Sequence, residues 1–374
     1  MKKIPIARPY LGEEESEAAA AVILSGWVTQ GPKVEEFERK FAEYVGAKYA
    51  VAVSSCTTGL HLSLICAGIK EGDEVICPSM SFIATSNSIQ YVGAVPVFAE
   101  VDEDYNLSID DVRSKITSKT KAIFLVHQIG NPADIDAYKI LCKEKNLQLI
   151  EDAACAIGSE YKGKRIGSHS DFVCFSFHPR KVITTGDGGM ITTNNESFYE
   201  RLKLLRQHGM SVNDRERHNS KSVIIEEYLE VGYNYRMTDI QAAIGIEQLN
   251  KLDFIIEKRR AIAAKYNHAF QEIEGVHILN EGESFFNYQS YTIRLSEKSN
   301  YGRNELMQLL LDKGIATRRG IMTAHREKAY QGKEYHLPQS EFYSDNTMLI
   351  PLYVQMEDED VDYVIENILS FLSK

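Results

Sequence analysis

From Lys48 onward, short apolar runs alternate with stretches of helical periodicity, and this alternation constrains the fold more than any other feature of the chain. KYAVAV is followed by TTGLHLSLICAGI, DEVICP by SFIATSNSIQYVG, and VPVFAEV by a helical pattern over 108–115. KAIFLV, DIDAYKILCKEKN and LQLIEDA continue the series. The runs are too continuously apolar for one face to meet water, so strand, helix, strand at this spacing predicts a mainly parallel sheet covered on both faces. No period of about 20–50 residues recurs, which argues against repeat architectures. No linker rich in Pro, Ser or Gly interrupts the first two thirds of the chain.

Shorter apolar runs follow at 172–177 and 190–193, and helical patterns are then expected to dominate from Ser197 through Phe270. With 374 residues the chain exceeds what one minimal core needs, and one large domain with one smaller domain is the default. The large domain is placed at 1–255. It includes two helical patterns before the sheet, EEESEAAAAVILSG and PKVEEFERKFAEYVG, which are candidates to cross to the small domain or to a partner subunit. Residues 256–374 are expected to form a small α+β domain. Its signals are the alternating segment YQSYTIRL, a helix over 304–313 stopped by Gly314, and a last amphipathic helix after Glu357.

Forty-two Lys and Arg against 53 Asp and Glu give a net charge of −11, with no local run of basic residues. Such a chain repels phosphate backbones and anionic lipid, so neither nucleic acid nor a membrane is an expected partner. The N-terminal segment has no apolar core of signal-peptide length, and no segment approaches about 18 uninterrupted apolar residues. A soluble, cytoplasmic protein is expected. Cys56, Cys66, Cys77, Cys142, Cys155 and Cys174 show no CxxC or Cys/His clustering. Neither a metal site nor a disulfide framework is expected, and the thiols read as mostly buried in a reducing compartment.

The densest chemistry lies between Leu149 and Gly189, where LIEDAACAIGS precedes DFVCFSFHPRKVITTGDGGM. Open α/β sheets bind ligands at the carboxyl ends of such strands. Asp152 leaves an apolar run, so its carboxylate needs a cation or a strong donor, and a protonated ring nitrogen is one such partner. Lys181 follows 29 positions later in a loop rich in Gly and Thr; a lysine so placed is a Schiff-base candidate. The competing reading, Asp152 as a helix cap and Lys181 as a solvated lysine, is open at this point. Ser55, Cys56, Thr57, Thr58 and Gly59 sit between a strand and a helix, where free amides suit a phosphate monoester. A simple Ser/Thr N-cap also fits them, and the Walker pattern for ATP is missing.

Taken together, the motifs closely resemble those of the DegT/StrS family of pyridoxal-phosphate sugar aminotransferases, from about Ile6 to the last helix. The residues that carry the likeness are SGWVTQGPKVEEFE at 25–38, SSCTTGLHL at 54–62, PSMSFIATSNSI at 78–89, EDAACAIGS, SFHPRKVITTGDGGM, and GYNYRMTDIQAAIG at 232–245. The resemblance implies an α/β fold of the aspartate-aminotransferase type, with a mostly parallel seven-stranded sheet, a small C-terminal α+β domain, and a homodimer with shared active sites. It implies that Lys181 binds the cofactor and moves the proton, while Asp152 keeps the pyridine nitrogen protonated. Phe82 matches the aromatic on the ring face. Thr57, Thr58 and Ser176 match the phosphate cup, and Asn234 matches a residue reaching that phosphate from the other subunit. The implied cofactor is pyridoxal 5'-phosphate, with pyridoxamine phosphate as its aminated form.

Two departures stand out. Cys155 replaces the glutamine that many members place beside the cofactor's phenolic oxygen, and HQIGNPADID at 127–136 replaces HLYGxPADMD. A cysteine is a weak donor, so the contact at that oxygen is in doubt. A branch of dehydratases carries histidine at the lysine position; His178 is not that substitution, because Lys181 is present.

On the substrate side, Arg236, Arg318, Arg319 and His325 are candidates for the carboxylate of an L-glutamate donor or for a nucleotide diphosphate, alternatives that surface or structural roles also fit. His178 joins the substrate-side candidates, as do Trp27 and Thr29 at the rim of the dimer's site. The NYRMTDIQAA form is similar to the perosamine-synthase-like branch that aminates carbon 4 of a 4-keto-6-deoxy nucleotide sugar, for a surface polysaccharide such as lipopolysaccharide O-antigen. Amination at carbon 3, a cyclitol ketone without a nucleotide, and a non-catalytic cofactor-binding regulator are the alternatives. The last should have lost Lys181 or Asp152, and both are present. GDP, UDP and dTDP are not distinguished.

Overall fold

Apolar runs that alternate with helices in the sequence lie side by side in space as one seven-stranded sheet. In chain order its strands are β1 (Tyr49–Val53), β2 (Glu74–Pro78), β3 (Val95–Ala99), β4 (Thr120–Val126) and β5 (Gln148–Asp152). After the small hairpin of β6 (Glu160–Tyr161) and β7 (Lys164–Arg165) come β8 (Phe172–Ser176) and β9 (Gly189–Thr193). The spatial order is β1-β9-β8-β5-β4-β2-β3. All pairings are parallel except those of β9, which runs antiparallel to β1 and β8. The computed structural model describes residues 2–212, 217, 220–279, 281, 282, 284–332 and 334–372.

Both faces of the sheet are covered, which is why its strands read as unbroken apolar runs. Helix α1 (Glu13–Ser25) precedes α2 (Pro32–Val45), and α2 lays Phe37 and Phe41 against one face. The Phe41 ring lies 5.0 Å from Phe175 and 5.6 Å from Phe177. On the opposite face, α3 (Cys56–Cys66) buries Leu60 and Leu64 with Val51, Val53 and Phe172. Each fully buried side chain of this size contributes roughly 1.5–3 kcal/mol.

The N-terminus of α2 shows how distant motifs cooperate. Its cap residue is Gly31, which has no side chain to offer, and Asp239 supplies the acceptor instead. Buried Asp239 takes the amides of Gly31, Lys33 and Val34 at 2.8, 3.0 and 3.0 Å. A carboxylate at a helix N-terminus is favoured by the exposed amides and the helix dipole. Gly31 also admits the Trp27 indole, because a Cβ there would lie 1.9 Å from Nε1. The QGP and TDIQ motifs are thus two halves of one cap.

A second, antiparallel sheet orders β10 (Val276–Ile278), β11 (Tyr291–Leu295), β13 (Thr347–Ile350) and β12 (Arg318–Arg319). Helix Leu252–Phe270 joins the two units. Its first turns pack Leu252, Ile255 and Ile256 into the large core, and its last turns pack Tyr266 and Phe270 under the second sheet. The helices at 13–25 and 32–45 pack on helix Asp239–Asn250. What crosses to the second sheet is the segment before them: the Ile4 amide donates to Gly314 and the Ala316 amide donates to Ile4, both at 2.9 Å.

The helical expectation for 197–270 needs correction. Helix α7 (Glu196–Arg206) is real, but residues 220–238 carry no helix. Their backbone is recruited elsewhere: the His208 amide donates to Tyr233, Tyr233 donates to Leu205, and Tyr235 donates to Arg206. Tyr233 and Tyr235 stack on each other and flank His61. The pattern from Asp239 to Phe270 is also two helices, broken at Lys251. All six cysteines are free, and only Cys155 is not buried.

Candidate active site

Adjacent strands β5 and β8 end at Asp152 and Ser176, at the carboxyl edge of the sheet. Asp152 is buried, its Oδ2 accepting from the Thr85 hydroxyl at 2.9 Å and its Oδ1 from the Ala154 amide at 3.1 Å. Thr85 stands in the first turn of α4 (Ala84–Tyr91), and its oxygen lies 2.9 Å from the Ser81 hydroxyl. With the Thr85 proton on Asp152, Ser81 is the donor of that second bond. Among the described residues no cation is hydrogen-bonded to Asp152: its direct donors are neutral, and Lys181 acts on it only through charge. That arrangement leaves room for a cationic partner.

Lys181 lies on the loop from β8 to β9. Its amide donates to the His178 carbonyl at 2.8 Å, while Thr184 Oγ1 and the Thr185 amide donate to Phe177, so the loop is pinned at both ends. Lys181 Nζ donates to Cys155 Sγ at 3.1 Å. Burial pulls the ammonium down, but Cys155, through charge and hydrogen bond, and then Asp152 outweigh it and hold the amine above the ordinary lysine range. Burial likewise pushes the Cys56 thiol well up, and the nearby Asp152 carboxylate adds to that.

Ser55 caps α3 by accepting the Thr58 amide at 3.2 Å, and Thr58 Oγ1 accepts the Ser55 amide at 3.1 Å. This reciprocal cap occupies Thr58 and leaves the preceding amides of the first turn without intrahelical acceptors. Of the two threonines expected to face an anion, Thr57 is the one outside the cap. Gly189 lets the strand meet this turn: a Cβ there would lie 2.6 Å from the Cys56 nitrogen. Since Gly189 is in register with Ser176, the helix start, Ser176 and Asp152 share one edge of the sheet. Ser176 Oγ accepts the His178 amide at 3.4 Å, and His178 Nδ1 accepts the Arg180 amide at 3.2 Å. Burial, with Arg180, holds His178 below the ordinary imidazole range. Phe82 presents its ring to solvent at 62% exposure, one turn before Thr85.

Among the described residues no hydrogen bond or ion pair joins the other sequence candidates to Asp152 or Lys181. Trp27 Nε1 donates to the Gln30 carbonyl at 3.2 Å, and the Thr29 carbonyl accepts the Asp239 amide at 3.1 Å. Asn234 is exposed and bridges Gln207. Arg236 lines a cavity beside α2 and α7. Arg318 is exposed on β12, and Arg319 pairs with Glu327. His325 is buried, with Nδ1 on the Ser79 hydroxyl and Nε2 on Glu341, so neither ring nitrogen is free for a substrate.

Sequence reasoning missed three supporting residues. Thr85 closes the SFIAT motif, and that position is the signal by which it could have been found. Asn287 donates to the Cys155 and Ile157 carbonyls, both at 2.8 Å, and Gln289 donates to the Arg180 carbonyl at 2.7 Å. Nothing in the sequence near 287 points to residues more than a hundred positions away.

The model of the DegT/DnrJ/EryC1/StrS aminotransferase family matches residues 9–369. A spore coat polysaccharide biosynthesis protein of Bacillus subtilis, SpsC, is 39% identical over 374 residues, covering 97% of this chain and 95% of its own. The Helicobacter pylori aminotransferase PseC, involved in the biosynthesis of pseudoaminic acid, superposes with a TM-score of 0.93 at 28% identity, over 100% of both chains. A Streptococcus pneumoniae protein in its PMP form superposes with a TM-score of 0.93 at 29% identity, over 99% of both chains. Its PLP form gives 0.92.

Proposed function

The chain belongs to the DegT/DnrJ/EryC1/StrS aminotransferase family, and from that premise we propose that it moves the amino group of L-glutamate onto carbon 4 of a 4-keto-6-deoxy nucleotide sugar. It is an aminotransferase of the aspartate-aminotransferase fold type, and its cofactor is pyridoxal phosphate, with pyridoxamine phosphate as the aminated form. Relatives named for polysaccharide and pseudoaminic acid biosynthesis support a sugar acceptor. The NYRMTDIQAA motif supports carbon 4, and a surface polysaccharide or other glycoconjugate is the destination that fits. Amination at carbon 3 is the second reading, and analysis of the product separates the two.

One observation carries the proposal: a buried carboxylate hydrogen-bonded only by neutral donors and a lysine hydrogen-bonded only to a thiol stand together at the carboxyl edge of the sheet. The donor set fits the cofactor. Asp152 would face the ring nitrogen, Lys181 the reactive carbon, Phe82 the ring face, and the start of α3 with Thr57 and Ser176 the phosphate. When bound, pyridoxal phosphate supplies an electrophilic carbon and a sink for the electrons released at the carbon beside the nitrogen.

The remaining work falls to the chain. Lys181 must shed its proton before its amine can attack, then carry a proton between two carbons, which its flexible stem permits. Asp152 keeps its charge partner protonated, held in one orientation by Thr85 and the Ala154 amide. Cys155 holds Lys181 beside that edge before the cofactor arrives. Arg236 and Arg318 are proposed for anionic ends of the substrates, with His178 close to the transferring group.

A homodimer is part of the proposal. Val223, Ile225 and Val231 are 93%, 84% and 86% exposed, an apolar series on the segment that leads to Asn234. A surface of this kind is what a second copy covers. Asn234 would then complete the partner's phosphate site, and Trp27 and Thr29 its rim. No described helix is long and apolar enough to cross a membrane, and a cytoplasmic location is proposed.

The test is the absorbance of purified protein with pyridoxal phosphate, before and after glutamate, repeated on Lys181→Ala. A visible band in the parent that moves to shorter wavelength with glutamate and is missing in the variant supports the assignment. A parent without the band ends it.

A further inference from the structure

Cys155 is the one cysteine of six that is not buried, and its sulfur is in contact with an amine: Lys181 Nζ donates to Sγ at 3.1 Å. The contact is held from both sides. Asn287 Nδ2 donates to the Cys155 carbonyl at 2.8 Å, and the Lys181 amide donates to the His178 carbonyl at 2.8 Å, so both backbones are fixed where the side chains meet. Arg180, the neighbour of Lys181 in the chain, is a second cation within electrostatic reach of the sulfur.

Cysteines that react with oxidants are partly exposed and stand beside cations, whereas thiols buried among apolar groups are inert. The six cysteines divide along that line. Burial raises the thiols of Cys56, Cys66, Cys77, Cys142 and Cys174 above the ordinary range. Among the described residues none of these five is hydrogen-bonded to a lysine or an arginine; Cys174 meets the Ser63 hydroxyl and Cys142 the Gln148 carbonyl. Cys155 combines access with a contacting amine.

We propose that Cys155 and Lys181 form a reversible sulfur–nitrogen bond when the protein meets hydrogen peroxide. Peroxide first takes the thiol to a sulfenic acid: the O–O bond breaks, one hydroxyl is added to sulfur, and the thiol proton leaves with the other oxygen as water. The electron pair of the deprotonated Lys181 amine then attacks that sulfur, the S–N bond forms, and the hydroxyl departs with an amine proton as a second water. Sulfur is oxidised by one electron pair, peroxide is reduced by the same pair, and no further reactant is needed. The flexible lysine stem supplies the approach from hydrogen-bond to bonding distance. Glutamine at position 155 has no such chemistry, so the sensitivity comes with the cysteine. While the bond stands, the Lys181 nitrogen is withheld from a cofactor, and a free thiol restores it. The bond rests on the contact of the two side chains; only its consequence for the cofactor rests on the aminotransferase reading.

The test is intact-mass spectrometry with peptide mapping of the full-length, cofactor-free protein after equimolar hydrogen peroxide. The parent should lose the mass of two hydrogens, its digest should contain the peptides of Cys155 and Lys181 joined, and dithiothreitol should separate them. Lys181→Ala should stop at the sulfenic acid and react with dimedone, and Cys155→Gln should keep its mass. Loading with pyridoxal phosphate beforehand should prevent the bond; a bond that still forms leaves this inference standing and speaks against Lys181 as the cofactor's lysine. An unchanged parent mass, a parent that only gains oxygen, or peptides joined through another cysteine overturns it.

Discussion

The Thr85 hydroxyl donates to Asp152 Oδ2 across 2.9 Å, joining the first turn of α4 to the end of β5. Both residues are buried, so this bond sets the direction of the carboxylate on which the proposed chemistry rests.

Removing that donor while keeping the shape should cost stability. Thr85→Val leaves Asp152 Oδ2 short of a hydrogen bond, and a buried acceptor so deprived costs about 1–3 kcal/mol. The midpoint of urea unfolding should fall accordingly, and Thr85→Ser should recover most of it. Equal midpoints for all three proteins would show that water replaces the hydroxyl.

Asp152→Asn keeps the size of the side chain and removes its charge. With Asp152 in the proposed role, the turnover number should drop by about 10²–10³, the loss typical of one electrostatic contact to developing charge. Steady-state kinetics with glutamate and a keto sugar measures it. A variant within a few-fold of the parent would remove Asp152 from the machinery.

Cys155→Ala should make Lys181 easier to deprotonate. Burial lowers the amine, Cys155 raises it, and the balance lies above the ordinary range. Deleting the raising group therefore shifts the titration to lower pH. The rate at which cofactor-free protein reacts with pyridoxal phosphate, followed against pH, should have its midpoint moved down. An unmoved midpoint would mean that the 3.1 Å contact has no electrostatic weight.

Burial first, and Asp104 next, raise the Asp102 carboxyl to about 6. A group that holds its proton more tightly when folded lends stability that is complete below its unfolded value, near 4, and is lost as pH rises through about 6. Asp102→Asn should abolish this loss, so thermal unfolding compared at pH 4.5 and pH 7 should show a smaller fall for the variant than for the parent. Parallel profiles would contradict the raised value.

Much of this molecule was legible along the chain. The apolar runs at 49–53, 74–78, 95–99, 120–126, 148–152 and 172–176 became strands because a run buried on both faces has no other economical structure than a covered parallel sheet. Asp152 and Lys181 stood out because a carboxylate at the end of such a run and a lysine in a glycine-rich loop each signal chemistry locally. The extended stretch at 220–238 was misread as helix because its backbone partners lie at Leu205, Arg206 and Gly209, and its own composition does not announce them.

Local periodicity and residue type, properties of a few consecutive positions, determined the sheet, its order of helices and strands, and the two side chains proposed to react. Tertiary structure alone decided which groups surround them. Thr85 meets Asp152 across 67 positions, Asp239 caps Gly31 across 208, and Asn287 holds Cys155 across 132. Contacts at such separations depend on how elements pack after they form, and that arrangement lies outside any window short enough to show a period.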